Sequence, residues 1–198
     1  TTEIYTLSLH DALPISSCES GQFEAALASC AKLAERFPPG SRPWARILFQ
    51  RGQAHLEKGD YTDASHCFQK VAEGQSNPAL RLRAALWNGA CLYRTGRDPL
   101  PWWKRFADFP WREYLADDRE AACFSLLLEG KTTGLDVLKG IPWLENDVHY
   151  WFGVRREIEG DREEASAEYE KGTKTSVGRE FPWHELTRAR RRLRPEKG

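Results

Sequence analysis

Hydrophobic residues recur at helical spacing from Pro43 to Val71, and the pattern is interrupted once, at Gly59-Asp60. This predicts two amphipathic helices joined by a tight turn. Glycine ends the first helix because it adopts the left-handed backbone conformation without a Cβ clash. Apolar residues three or four apart form one stripe on the second helix, namely Tyr61, Ala64, Phe68 and Val71. We expect this stripe to fold back onto the first helix, which gives a helical hairpin.

The same punctuation occurs at three places in the chain. A glycine is followed at fixed offsets by one residue that is usually aromatic, then by alanine, then by a second apolar residue: Gly21-x-Phe23-x-x-Ala26-x-x-x-Cys30, Gly59-x-Tyr61-x-x-Ala64-x-x-x-Phe68 and Gly160-x-Arg162-x-x-Ala165-x-x-x-Tyr169. Glycine pairs seven residues apart add to the pattern, namely Gly52 with Gly59, Gly89 with Gly96 and Gly153 with Gly160. Such regular spacing indicates an internal repeat.

The pattern resembles the tetratricopeptide repeat family, whose helix pairs carry a small residue, glycine, an aromatic residue and alanine at these offsets. The resemblance covers about half of the chain and implies an all-α solenoid of antiparallel helix hairpins. The spacing departs from the family's usual value of about 34 residues, since Gly21 to Gly59 spans 38 and Gly52 to Gly89 spans 37.

Composition shifts along the chain predict four segments. Thr1 to Ile15 read, codon for codon, as the translation of a common sequencing-library adapter, so we interpret residues 1–16 as an adapter-derived scar. On this interpretation the helix that should precede Gly21 is lost and the native protein continues upstream. Residues 17–96 are predicted to form tetratricopeptide-like repeats, the first one incomplete. A segment rich in proline and tryptophan, with short helices, follows over 97–143, and a further hairpin with a closing helix occupies 144–198.

Five of the eight tryptophans directly follow a proline, which allows two interpretations. Proline suits the first position of a helix, and a tryptophan beside it can pack back onto the preceding helix. Alternatively, because tryptophan often anchors binding hot spots, the middle segment presents an aromatic ligand surface: Trp102, Trp103, Phe106, Phe109 and Trp111.

Charge and cysteine content narrow the classes of partner. Lysine plus arginine equals aspartate plus glutamate at 29 each, so no global field attracts nucleic acid or a membrane surface. No apolar run approaches the roughly 18 to 20 residues that span a bilayer.

Five cysteines without a CxxC pair argue against a disulfide framework and slightly favour a reducing, cytoplasmic compartment. The basic run Arg188 to Arg194 is interpreted as a solvated last helical turn, with contact to nucleic acid or anionic lipid as the alternative.

The sequence predicts no catalytic, cofactor-binding or metal-binding residues. Gly130 to Gly134 resembles the end of a phosphate-binding loop, but Ser125 stands where that motif needs glycine. One set of residues is a candidate metal or thiol–imidazole cluster: His55, His66, His149 and Cys67. It is disfavoured because His66 and Cys67 are adjacent on a helix and point about 100° apart.

The resemblance also implies where a partner binds. In the family, the first helix of each pair lines the concave surface, which here would place six residues in a groove: Arg46, Phe49, Gln53, Arg83, Trp87 and Tyr93. Some relatives clamp a peptide's terminal carboxylate with lysine, arginine and asparagine, but Phe49 and Gln53 stand at two of those positions. The predicted function is therefore a non-catalytic scaffold for a protein or peptide partner, without a cofactor. Two alternatives are a helical accessory region of a larger enzyme, whose catalytic domain lay upstream, and a structural spacer.

Overall fold

A computed structural model describes residues 23–74, 77–108, 128, 142–175 and 182–193. Within these ranges the chain forms eight α-helices and no strand: α1 (Phe23–Ala34), α2 (Arg42–Lys58), α3 (Tyr61–Glu73), α4 (Pro78–Arg94), α5 (Leu100–Ala107), α6 (Pro142–Ile158), α7 (Arg162–Thr175) and α8 (Trp183–Leu193). The predicted all-α class is confirmed. None of these helices is long and apolar enough to cross a membrane.

Local signals set the ends of the α2–α3 hairpin. The Ser41 hydroxyl accepts a hydrogen bond from the Trp44 amide at 3.4 Å, which caps α2. Gly59 ends α2 with φ of 95°, in the left-handed region where a side chain would be strained. The hairpin turn predicted at Gly59-Asp60 is therefore confirmed, and α2 and α3 pack against each other.

Helices that follow one another along the chain pack together. The pairs α2–α3, α4–α5 and α6–α7 form hairpins, α1 packs on α2, α3 on α4, and α4 on α6. The last helix, α8, packs on α7 and also contacts α2. A stack of hairpins is the arrangement that the resemblance implied, whereas the contact between α8 and α2 adds a connection across the stack.

Each of the three hairpins uses a glycine in its first helix to admit an aromatic ring from its second. The ring lies where a side chain on the glycine would have to be, and the pairs are Gly52 with Phe68, Gly89 with Trp103 and Gly153 with Tyr169. A Cβ atom on Gly89 would come within 1.9 Å of the indole nitrogen of Trp103. The glycines therefore set how closely the two helices of each hairpin approach.

A row of aromatic rings runs through the core from one hairpin to the next. Ring centroids lie 5.3 Å apart between Phe49 and Phe68, and 6.2 Å apart between Phe68 and Trp87. The row continues from Trp87 to Tyr150 at 4.9 Å and from Tyr150 to Tyr169 at 5.7 Å. Edge-on and offset contacts of this kind add to the burial of apolar area, so the row ties α2, α4 and α6 into one core.

The cysteines of the described residues are buried and form no disulfide bonds: Cys30, Cys67 and Cys91. Burial raises the pKa of the Cys67 thiol to about 11. Cys18 and Cys123 lie outside the described residues.

Candidate functional site

The six residues predicted to line a groove fall into different environments. Phe49 and Trp87 belong to the aromatic row and are only 4% and 0% exposed, so both are core residues. Arg46 is exposed, and the remaining three are partly exposed: Gln53, Arg83 and Tyr93. Only these four can contact a partner without unpacking the core.

Three of the four lie together on α2 and α4. Arg46, Gln50 and Gln53 share one face of α2, because residues three, four and seven apart in a helix lie above one another. The Arg83 guanidinium lies over the Phe49 ring, 5.4 Å from its centroid, and so borders this face from α4. We call these residues the open stripe: Arg46, Gln50, Gln53 and Arg83.

Gln50 is the one member of the open stripe that the sequence did not single out. Its Oε1 atom is shielded from solvent and has no hydrogen-bond partner among the described residues. A buried acceptor without a partner is costly and is usually satisfied by water or a ligand. The glutamine therefore adds a hydrogen-bonding group to the two guanidinium groups of the stripe.

Tyr93 lies apart from the open stripe. It follows Arg83 by ten residues on α4, which is about 15 Å along the helix. There it lines a shallow cavity of about 360 Å³ between the α4–α5 turn and the end of α6, beside Asp98 and Glu157. The predicted groove is therefore not one continuous set of side chains.

Helix α8 contacts the C-terminal end of α2. The Arg188 guanidinium of α8 donates hydrogen bonds to the backbone carbonyls of Leu56 and Glu57 at 2.5 and 2.6 Å. Carbonyls in the last turn of a helix have no partner within the helix. Arg188 therefore caps α2 from a position more than a hundred residues further along the chain.

Glu185 is the centre of the contacts that α8 makes. Its carboxylate is fully buried and accepts hydrogen bonds or ion pairs from five side chains: Tyr61, Tyr150, Arg188, Arg192 and Arg94. Burial raises the pKa of Glu185, but the nearby arginines, Arg94 foremost, outweigh burial and hold the pKa below its usual value. The group is therefore a buried carboxylate ion.

Arg94 connects this network to the second and third hairpins. Its side chain is 5% exposed and donates hydrogen bonds to Glu157 at 2.9 Å, the Tyr169 hydroxyl at 2.8 Å and the Tyr150 hydroxyl at 3.3 Å. The Tyr169 hydroxyl in turn donates to Glu157. The buried Glu185, the largely buried Glu157 and the arginines around them thus hold α4, α6, α7 and α8 together.

Most described arginines of the basic run near the C-terminus form ion pairs within the molecule. Arg188 and Arg192 bind Glu185, and Arg190 pairs with Glu170 at 3.1 Å. Arg191 is exposed, and Arg194 lies outside the described residues.

The aromatic surface predicted in the middle segment is packed where the structure describes it. Trp103 fills the space at Gly89 and is 2% exposed, and Phe106 is 5% exposed. Trp102 is partly exposed and its indole N–H donates to the Ala85 carbonyl at 2.8 Å. Phe109, Trp111 and the loop-like motif from 130 to 134 lie outside the described residues. Trp102 and Trp103 thus serve as contacts between α4 and α5, and the Phe106 ring packs beside Trp102 with centroids 4.9 Å apart.

A second polar cluster lies at the turn of the α2–α3 hairpin. His55 is 8% exposed, and neither of its ring nitrogens has a hydrogen-bond partner among the described residues. Burial lowers its pKa, with Asp63 and Arg51 acting in opposite directions, so the imidazole is neutral at pH 7. Its acidic neighbours are Asp60 and Asp63, which no sequence motif singles out. His149 lies elsewhere and pairs with Glu168 at 2.8 Å.

The structure defines a class of protein, a stack of α-helical hairpins held together by glycine–aromatic contacts. Residues 45–73, which comprise most of α2 and all of α3, match the family model of the tetratricopeptide repeat. The match supports the resemblance of this segment to a tetratricopeptide repeat, a unit that generally mediates protein–protein interaction and is generally non-catalytic. No curated protein and no solved structure matches the chain.

Proposed function

We propose that this chain is a scaffold that binds an extended segment of a partner protein along the open stripe. Arg46 and Arg83 offer two guanidinium groups, which favour a segment that carries aspartate or glutamate side chains. Gln50 and Gln53 offer amide groups to the partner's backbone. The proposal has support from the repeat itself, whose first helix carries the binding residues in this family.

The observation that carries the proposal is the unpartnered Gln50 Oε1 within a face that is otherwise cationic. Because the Gln50 side chain is partly exposed, its amide can turn outwards and accept a hydrogen bond from a backbone N–H of a bound segment. The opposite end of α2 offers no such opening, because Arg188 already occupies the carbonyls there.

The test is selection of peptides from a random display library on the full chain, followed by fluorescence polarisation with the selected peptides. We expect the peptides to be rich in acidic residues. Arg46→Glu and Gln50→Ala should weaken binding by about ten-fold, which corresponds to the loss of one charge-assisted or buried hydrogen bond. Arg191→Glu is the matched control, since it makes the same charge change on the exposed side of α8.

Equal loss of binding in Arg191→Glu and Arg46→Glu would show a diffuse charge effect and would contradict the site. Phe49→Ala and Trp87→Ala do not test it, because both remove core rings. Each is expected to cost about 3–5 kcal/mol of stability instead.

A further inference from the structure

Three side chains with metal-binding atoms meet at the turn between α2 and α3. A ring nitrogen of His55 and carboxylate oxygens of Asp60 and Asp63 all lie within 4.8 Å of one another. His55 stands in the last turn of α2, Asp60 precedes α3 and Asp63 stands in its first turn. We propose that these residues bind a divalent transition-metal ion that links the two helices of the repeat.

The burial of His55 distinguishes this cluster from an ordinary surface group of carboxylates. His55 carries a nearly buried imidazole, and both of its nitrogens lack a hydrogen-bond partner among the described residues. Its closest acidic contact is Nδ1 to the Asp60 Oδ2 at 3.7 Å, which is too long for a hydrogen bond. A bound metal ion would supply the partner that the ring lacks.

Asp60 is also placed unusually for its position. An aspartate before a helix normally accepts a hydrogen bond from the first turn, but the Asp60 side chain makes no such bond to α3. It turns towards His55 and towards Lys58, whose ammonium lies 2.9 Å away. The carboxylate is therefore already directed to the side where the imidazole lies.

The cluster matches the dimensions of a small metal site. Bonds of about 2.0–2.2 Å to imidazole nitrogen and carboxylate oxygen place tetrahedral ligands roughly 3.3 Å apart. His55 and Asp60 are close to this separation, and Asp63 is exposed, so its side chain can rotate inwards. A cavity of about 160 Å³, lined by His55 and Asp63, leaves room for water as a further ligand. Imidazole in the set favours zinc and its neighbours over magnesium and calcium.

Positively charged side chains near the cluster lower its affinity for a metal ion. Lys58 competes for Asp60, and Arg51 and Lys70 line the same cavity. Lys58 also pairs with Glu24 at 2.7 Å, so it keeps a partner when a metal takes Asp60. The site is therefore expected to bind its ion reversibly.

Isothermal titration calorimetry of the full chain with Zn²⁺, in buffer with a non-chelating reductant, tests the proposal. We expect one ion per chain. Asp63→Asn and His55→Gln should each weaken binding by at least about ten-fold. Because Asp63 is exposed, its variant should fold normally even if the His55 variant does not. Lys58→Gln should strengthen binding, since it removes the competitor for Asp60.

Two variants in the same cavity serve as controls. His66 and Cys67 also line it but lie outside the ligand set, so His66→Ala and Cys67→Ala should bind Zn²⁺ like the unmodified chain. The proposal is overturned if the unmodified chain binds no zinc, if Asp63→Asn binds it equally well, or if binding depends on Cys67 instead.

Discussion

The two ends of helix α2 differ in whether their polar groups are already bound by other parts of the molecule. Towards its beginning, Arg46 is exposed and Gln50 holds an unpaired acceptor. At its end, the carbonyls of Leu56 and Glu57 are bound by Arg188 from α8. Helix α2 thus provides a candidate binding surface towards its beginning, which we call the open end. Its last turn, which we call the closed end, is a structural contact with α8. Burial and hydrogen bonding, rather than position in the repeat alone, separate the two roles.

The largest effect is expected from removing the Glu185 carboxylate, which lies at the centre of the contacts at the closed end. Glu185→Ala leaves Arg94 and two further arginines without this partner in a buried site, so we expect a loss of about 3–5 kcal/mol in the free energy of unfolding. Urea denaturation followed by circular dichroism measures it. Glu170→Ala is the control, because its ion pairs with Lys174 and Arg190 are partly exposed and should be worth under about 1 kcal/mol. Similar losses in the two variants would contradict the role of Glu185 as the buried centre of these contacts.

Removing the cap on α2 should have a smaller effect. Arg188→Ala removes hydrogen bonds to two carbonyls and one bond to Glu185. The Leu56 carbonyl keeps its bond from the Gly59 amide, and the Arg188 side chain is 31% exposed, so water can replace part of what is lost. We expect a cost of about 1.5–3 kcal/mol, and protection of the last α2 amides against hydrogen exchange should fall. Arg191→Ala, on the exposed side of the same helix, should change neither quantity. Unchanged exchange in Arg188→Ala would argue against the cap.

Acid should destabilise the fold through protonation of Glu185. The pKa of Glu185 is lower in the folded than in the unfolded chain, so its stabilisation is present above the unfolded value near 4.5 and is lost as pH falls through the folded pKa. Urea midpoints measured from pH 7 to pH 3 should therefore decline, and less steeply in Glu185→Gln. Part of the decline should persist, because the pKa values of Asp60 and Glu168 are also lowered. An identical slope in Glu185→Gln would contradict the role of Glu185.

The smallest effect on stability is expected at the open end. Arg46→Glu changes an exposed side chain, so the free energy of unfolding should shift by no more than about 0.5 kcal/mol. Binding of acidic peptides should nevertheless fall, as proposed above. Thermal denaturation and fluorescence polarisation on the same sample measure both. A large loss of stability in this variant would show that the open stripe is structural.

The α2–α3 hairpin could be predicted because its determinants are local. The apolar stripe and Gly59 lie within one continuous stretch, and each acts over a few residues. The α4–α5 hairpin was harder to recognise, since Gly89 and Trp103 are 14 residues apart, whereas Gly52 and Phe68 are separated by 16. The shorter separation shifts the offset on which the repeat was recognised, although the packing is kept.

The site was less predictable because burial depends on distant partners. Phe49 and Arg46 are three residues apart on α2, but Phe49 is covered by neighbouring helices and Arg46 is not. Arg188 begins the basic run that the sequence predicts to be solvated, and Glu185 lies three residues before it. Nothing near them in the chain indicates contact with Tyr61 or with the end of α2. The proximity of His55 to Asp60 and Asp63 lies within one hairpin, and the spacing of the three across the turn could have revealed it.

The bond from Arg188 to Glu57 joins residues separated by 131 positions. Helical repeat arrays ordinarily couple only nearest neighbours, so they can unravel one unit at a time. A long-range tie of this kind raises the contact order and makes folding wait for the closure of a large loop. The α2–α3 hairpin and helix α8 are then thermodynamically linked, and we expect them to unfold in one cooperative transition.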